Sequence, residues 1–106
     1  KFGDSLEKWA DYLISAVKTN SDQKIVDFFE VNSDLGNMVC QKQIISRHEV
    51  IDSIKKGFTY STVFKTATGK WRKGDKVNLI LIDGENYLRT NKKPDPQDQF
   101  DNVPEF

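Results

Sequence analysis

Apolar residues recur at helical spacing between residues 45 and 57. Val50, Ile51 and Ile54 form one narrow stripe within this stretch. A helix of about three turns is marginal alone, so burial of the stripe must stabilise it. The rest of the chain has the composition of strands. The pattern therefore predicts one main α-helix over residues 47–56 that packs on a sheet.

The two ends of this helix carry their own signals. Ser46 fits the N-cap, because its hydroxyl accepts hydrogen bonds from the amides that open a helix, and Glu49 completes a capping box. Gly57 tolerates the left-handed conformation that closes a helix, and Lys55 and Lys56 suit the negative end of its dipole. The start, the body and the stop thus indicate the same element.

Residues 6–17 fit two structures. Five apolar side chains follow the spacing of an amphipathic helix: Leu6, Trp9, Ala10, Leu13 and Val17. The β-prone runs 12–17 and 25–31, which a polar turn separates, favour a hairpin instead. The pattern alone leaves both structures open.

Two β-prone runs flank the predicted helix. Residues 39–45 predict a short strand before it. After it, residues 58–65 alternate, with four side chains on one face: Phe58, Tyr60, Thr62 and Phe64. The stretch 66–75 that follows is punctuated by glycine and is predicted to be a loop.

The most apolar run is residues 76–82, which predict a central strand covered on both faces. Asp83-Gly84 is a strong hairpin signal, so residues 87–90 are predicted to return beside that strand. From Asn91 onward the chain holds all three prolines and is predicted to be an extended C-terminal strap. Its expected anchors are Phe100, Val103 and Phe106.

Composition narrows the class of protein. The 106 residues are enough for one domain, and we expect residues 1–8 to be a linker or an appended segment and residues 9–106 to be that domain. Sixteen basic and sixteen acidic residues cancel, which excludes a global field for nucleic acid or an anionic membrane. No apolar run has membrane-spanning length, and no signal-peptide pattern opens the sequence. Cys40 has no second cysteine to pair with, so a cytoplasmic location is expected.

Few residues offer catalytic or metal chemistry. Cys40, His48 and Glu49 lie close in sequence, but His48 falls within the predicted helix and Glu49 is explained by capping. One histidine and one cysteine exclude a zinc site of the usual ligands. Three aspartates recur at a spacing of three residues: Asp95, Asp98 and Asp101. They lack the glycine turn of a calcium loop, so a solvated tail is expected, with no metal, no cofactor and no enzyme activity.

The most suggestive surface is the stretch 65–76. Its five basic residues, Lys65, Lys70, Arg72, Lys73 and Lys76, against Asp75 give a local charge of +4. Trp71 stands among them, and a basic loop with an aromatic ring is typical of single-stranded nucleic acid binding. The candidate binding residues are Lys70, Trp71, Arg72 and Lys73. The alternative is that Trp71 folds back on the sheet while the lysines form a solvated hairpin tip.

Several motifs resemble a known family. They are Trp9-Ala10-Asp11-Tyr12-Leu13-Ile14, Glu49-Val50-Ile51-Asp52, Gly69-Lys70-Trp71, Tyr87-Leu88-Arg89-Thr90 and Asp101-Asn102-Val103-Pro104-Glu105. In them the chain resembles a small, mostly bacterial family catalogued only as domain of unknown function 3892. Leu is more usual in that family where Phe100 and Val103 stand. The resemblance implies a strand from about Tyr12 and a small α+β domain, with a curved antiparallel sheet of about five strands packed by one main helix. It implies no activity.

Arg89 and the terminal motif occur together in that resemblance. We therefore expect a structural clamp in which Arg89 ties the acidic tail to the sheet through Asp101 or Glu105. The alternative is a bidentate site for the carboxylate or phosphate of a ligand.

These observations favour a non-enzymatic module that binds a macromolecule. A protein partner is preferred to nucleic acid, and no binding to a membrane is expected. Binding of single-stranded nucleic acid through the Lys70–Lys73 loop is the first alternative. An immunity or antitoxin-like protein that blocks a toxin enzyme is the second. Self-association through a sheet edge is a further expectation.

Overall fold

The computed structural model describes residues 9–21, 25–34, 39–69, 71–91, 93, 95–100 and 103–106. Within these ranges the chain forms one helix and seven strands, an α+β fold as predicted. In chain order they are β1 (Tyr12–Thr19), β2 (Val26–Asp34), β3 (Val39–Ser46), α1 (Arg47–Lys55), β4 (Tyr60–Lys65), β5 (Trp71–Lys76), β6 (Asn78–Ile82) and β7 (Glu85–Arg89).

The described strands form a five-stranded sheet, in the order β3-β2-β1-β4-β5, and a separate β6–β7 hairpin. Neighbouring strands are antiparallel except β1 and β4, which are parallel. The wholly antiparallel sheet implied by the resemblance is thus wrong for this one pair. The reason is the helix: α1 carries the chain from β3 at one edge past β2 and β1, so that β4 enters beside β1 in the same direction.

The N-terminal hairpin is confirmed, and the helix alternative for this part of the chain is wrong. β1 lies in the middle of the sheet, and its residues from Leu13 to Val17 are buried. A strand covered on both faces has a nearly continuous apolar run, which helical spacing also fits.

The predicted helix is confirmed to within a residue. The Ser46 hydroxyl accepts a hydrogen bond from the Glu49 amide at 3.3 Å and donates one to the Glu49 carboxylate at 3.5 Å. Val50 and Ile51 are buried, and Gly57 closes the helix at a φ of +102°. Each of these contacts joins residues close in sequence, which is why the sequence pattern was sufficient to predict the helix and its ends.

Two predictions for the second half of the chain are wrong. The expected loop over 66–75 instead contains strand β5, which pairs with β4 at the sheet edge, where exposed charges are tolerated. The apolar run 76–82 is not central, because β6 pairs only with β7 in the described chain and Leu81 is 68% exposed. The Asp83–Gly84 turn is confirmed, with both residues at positive φ.

The main core lies between the five-stranded sheet and a second layer, which contains α1 and the β6–β7 hairpin. We call the sheet face toward α1 the inner face and the opposite face the outer face. The inner face and the second layer together contribute Ile14, Val17, Val26, Phe29, Val31, Val50, Ile51, Tyr60, Val77 and Leu88. A smaller cluster covers part of the outer face, where Trp9 and Trp71 pack against Ala10, Leu13 and Val63.

Gly74 permits a close approach between β5 and β4. A Cβ atom at this position would lie 2.1 Å from the Thr62 hydroxyl oxygen and 2.8 Å from the Thr62 carbonyl oxygen. That hydroxyl accepts a hydrogen bond from the Asp75 amide at 2.9 Å, so it is held in place. The register of the two strands also shifts here, between Ser61 and Val63.

We predict that Gly74→Ala lowers the free energy of unfolding by about 1–3 kcal/mol, because the methyl group must displace Thr62. Urea unfolding followed by circular dichroism measures the change. Lys73→Ala is the control, since Lys73 is the exposed neighbour on the same strand. Equal midpoints for the two variants would contradict the close approach.

Candidate functional site

A buried carboxylate joins four parts of the chain. The Asp98 side chain is fully buried and accepts hydrogen bonds from the amides of Val26, at 2.9 Å, and Leu88, at 2.8 Å. It also accepts from Arg47, at 2.8 Å from Nε and 3.1 Å from Nη2. The C-terminal segment is thereby tied to β2, to β7 and to the first residue of α1.

Arg47 completes this network. Its Nη2 atom also donates to the carbonyl of Asn86, and its guanidinium lies 6.0 Å from the centre of the Tyr87 ring. The hydrogen bonds to Asp98 raise the pKa of Arg47 above its ordinary value. The expected solvated tail is therefore wrong for Asp98. The sequence offered no signal, because spacing alone does not distinguish a buried aspartate from an exposed one.

Arg89, the residue of the predicted clamp, is only 2% exposed. Its guanidinium donates to the Asn91 side chain at 3.1 Å and to the Gln97 carbonyl at 2.7 Å, and it lies 3.5 Å from the Asp95 carboxylate. It therefore holds the beginning of the C-terminal segment. Asp101, one predicted partner, lies outside the described residues.

Glu105, the other predicted partner, accepts a hydrogen bond from the Thr19 hydroxyl. Its neighbours bind the same strand: the Val17 amide donates to the Pro104 carbonyl, and the Phe106 amide donates to the Val17 carbonyl, both at 3.0 Å. The chain end thus lies beside the second half of β1, beyond the part of β1 that pairs with β4. The backbone of Phe106 is thus bonded to β1, but its side chain is not the anchor that was expected, because Phe106 is 45% exposed.

The other two expected anchors pack inward. Phe100 meets the ring of Phe29 edge-on, with 5.4 Å between ring centres. Val103 is partly buried against the main core.

The predicted basic set is divided between two faces. Trp71 packs on the outer-face cluster, and Lys73 pairs with Val63 of the same cluster. Arg72 lies between them on the strand, so alternation directs it to the inner side. Lys70 lies outside the described residues. The loop expected from the sequence is therefore a strand whose outer side carries Trp71 and Lys73.

A small cleft of about 230 Å³ adjoins this strand on the outer face. Lys73 and Lys76 line it together with Trp9, Ala10, Thr59, Tyr60 and Ser61. Both lysine side chains are exposed, and Trp71 is half-buried. Cations and indole rings thus lie at one end of the outer face.

The other end of the outer face carries exposed apolar side chains. Phe28 is 44% exposed and Ile44 is 53% exposed. Ile44 pairs with Glu30, the second residue after Phe28, so the two apolar side chains are diagonal neighbours on adjacent strands. Phe106 follows Glu105, whose side chain lies with Thr19 on the inner side, so alternation directs the Phe106 ring to the outer face.

Polar side chains link the two ends. The Glu30 carboxylate accepts a hydrogen bond from the Ser15 hydroxyl at 2.8 Å and lies 3.4 Å from the Lys42 ammonium. Asn32 donates to the Ser15 hydroxyl at 3.0 Å. The middle of the outer face is thus an ordered hydrogen-bond network.

Two of the residues considered for catalysis, His48 and Glu49, make other contacts in the described chain. His48 is exposed, with its Nε2 atom 3.0 Å from the Asp52 carboxylate, and Glu49 caps α1. The Cys40 side chain lies outside the described residues. No group of three or more histidine, cysteine, aspartate or glutamate side chains that could hold a metal ion occurs in the described ranges. Nor does the described chain contain a helix long and apolar enough to cross a membrane.

The fold and these surfaces define an α+β protein with a five-stranded sheet, one helix and a separate hairpin. Comparison of the chain with protein-family profiles, with curated proteins and with solved structures finds no match in any of the three. The resemblance to domain 3892 stays a prediction.

We predict that Asp98→Ala lowers the free energy of unfolding by about 3–5 kcal/mol, because it leaves Arg47 and two buried amides without their partner. The matched control is Asp95→Ala, whose side chain is 56% exposed and should cost at most about 1 kcal/mol. Urea midpoints compare the two. Similar losses for both aspartates would refute the central role of Asp98.

Proposed function

We propose that this protein is a non-enzymatic module that binds another protein through the outer face of its five-stranded sheet. The observation that carries the proposal is the pair of exposed apolar side chains Phe28 and Ile44, diagonal neighbours on adjacent strands that are 44% and 53% exposed. The Phe106 ring, which alternation directs to the same face, is separated from them by Lys18 of β1. Exposed apolar side chains that are neighbours and are bordered by polar residues are typical of protein interaction sites.

The surroundings of this apolar pair support a protein partner. Glu30 and Lys42 lie beside Ile44, so charged groups border the apolar side chains. An apolar centre with a polar rim is typical of protein–protein interfaces. Phe28 and Ile44 stand on paired strands, which fixes their spacing and lowers the entropy lost on binding.

The absence of enzyme activity and a cytoplasmic location are parts of the same proposal. In its support, the Asp98 carboxylate is fully engaged by Arg47 and two amides, and Glu49 is engaged by the helix cap. The single cysteine of the sequence supports the location.

Two finer features of the shape belong to the proposal as well. We propose that the sheet is curved, which is supported by register shifts in the pairing of β1, β2 and β4. We also propose that the C-terminal segment acts as a strap that fixes the edge of the binding face. Its support is the set of contacts made by Asp98, Gln99 and Pro104.

The test begins with affinity capture of a partner from the native host and its identification. The purified partner should then bind the wild-type chain directly in calorimetry, and Phe28→Lys or Ile44→Lys should weaken binding by about tenfold or more. Phe64→Lys is the control, because Phe64 is 39% exposed but follows Val63 and so lies on the inner side. Equal binding by all three variants would rule out the outer-face site.

Single-stranded nucleic acid is a second candidate ligand, favoured by the cleft beside Trp9, Lys73 and Lys76. Lysine ammonium groups contact phosphates, and an indole ring provides a stacking surface for bases. Trp71 offers less stacking surface for bases than the sequence implied, because part of its ring packs on Leu13 and Val63.

A labelled oligouridine titrated at several salt concentrations tests this candidate. Lys73→Ala should weaken binding at low salt and reduce the slope of log K against log salt by roughly 0.7. Arg72→Ala should leave both unchanged, since Arg72 is the adjacent cation on the opposite side of β5. Undetectable binding at low salt, or equal losses in the two variants, would exclude the candidate.

A further inference from the structure

Strand β6 has one edge that pairs with no other strand among the residues the structure describes; we call it the free edge. It pairs with β7 from Asn78 to Ile82 across the two-residue turn Asp83–Gly84. In such a hairpin the residues that flank the turn form a hydrogen-bonded pair, and hydrogen-bonded pairs alternate from there. The backbone groups of Leu79 and Leu81 therefore point away from β7.

Contacts on the other strand support this alternation. Leu88 pairs with Leu79, and its own groups point away from β6: its amide donates to Asp98 and its carbonyl accepts from the Gln99 amide at 2.9 Å. The C-terminal segment thus covers the outer edge of β7. For the corresponding groups of Leu79 and Leu81, the described residues supply no partner.

The free edge lacks the features that usually prevent strand pairing. From Asn78 to Ile82 it contains no charge and no proline. Leu81 is the most exposed large apolar side chain of the described chain, at 68%. An open groove of about 520 Å³ runs along the strand, lined also by Ile54 and Lys76.

We propose that β6 pairs antiparallel with β6 of a second copy, about a two-fold axis at Ile80. In this register Leu79 of each copy stands opposite Leu81 of the other. The four outward backbone groups of each strand then find partners, which gives four hydrogen bonds between the copies. The two hairpins become one four-stranded sheet.

The side chains and the charges fit the same register. Leu79 packs on the main core, and Leu81 lies on the same face of the hairpin, so Leu79 of the second copy covers the exposed Leu81. Asp83 stands opposite Val77 of the other copy, next to Lys76. An acidic and a basic residue therefore lie near each other at both ends of the paired strands, which favours a second copy over an extended segment of unrelated sequence.

Cysteine cross-linking tests the register in a Cys40→Ser background. Ile80→Cys places two cysteines at the axis in a non-hydrogen-bonded pair, whose Cα separation of about 4.5 Å suits a disulfide. Leu81→Cys is the control. Leu81 is more exposed than Ile80, but it stands opposite Leu79 of the other copy, so the two introduced cysteines lie two strand positions apart. Mild oxidation should give disulfide-linked dimers at least about tenfold faster with Ile80→Cys, because reactive pairs must be preorganised.

Sedimentation equilibrium tests the dimer itself. The wild-type chain should approach the dimer mass at concentrations on the order of 100 µM, as a small interface implies. Leu81→Lys should stay monomeric. Ile44→Lys, which adds the same charge to the edge strand β3, should dimerise like the wild type.

Three results would overturn the proposal. One is a wild-type monomer at about 1 mM, which would leave the edge for a strand of another protein. Another is a Leu81→Lys variant that still dimerises, which would assign the dimer to a different surface. The third is faster cross-linking of Leu81→Cys than of Ile80→Cys, the order expected from exposure alone. The outer-face proposal rests on other residues and can fail or hold independently.

Discussion

The structure depends on one ion pair, between the buried carboxylate of Asp98 and the partly exposed guanidinium of Arg47. Removing the carboxylate from water is costly, and the cost is offset here because it accepts four hydrogen bonds. These bonds come from the start of β2, the start of α1 and the last part of β7. A chain of this size has a small core, so a polar junction that fixes the relative positions of three elements has a large effect on which arrangement is stable.

The ion pair also decides which face of the sheet is left open. By holding α1, the hairpin and the C-terminal segment on the inner side, it covers Phe29 and Val31. The alternate residues of the same strand, Phe28 and Glu30, then point outward. Because side chains alternate along a strand, burial of one set leaves the other set on the opposite face. The proposed binding surface is in this sense a consequence of how the core is assembled.

The C-terminal segment covers sheet edges unevenly. It bonds to β1 at Val17, beyond the pairing with β4, and to β7 at Leu88. At these two points the backbone groups of β1 and β7 are already hydrogen-bonded, so they do not pair with another strand. β6 receives no such cover within the described ranges, although it is the most apolar strand. Natural proteins usually protect such an edge with charge, proline or a bulge, so its open state requires an explanation such as pairing with a second copy.

The sequence alone determined those elements whose interactions are local. The cap of α1 joins Ser46 to Glu49, three residues apart, and the β6–β7 turn is defined by Asp83-Gly84; both were predictable from short patterns. The tertiary structure decided the rest. Asp98 bonds to residues 51 and 72 positions away, and nothing in its immediate neighbours distinguishes it from the exposed Asp95. Likewise, an apolar run such as 78–82 indicates burial or pairing without saying with which strand, because that partner is chosen by contacts distant in sequence.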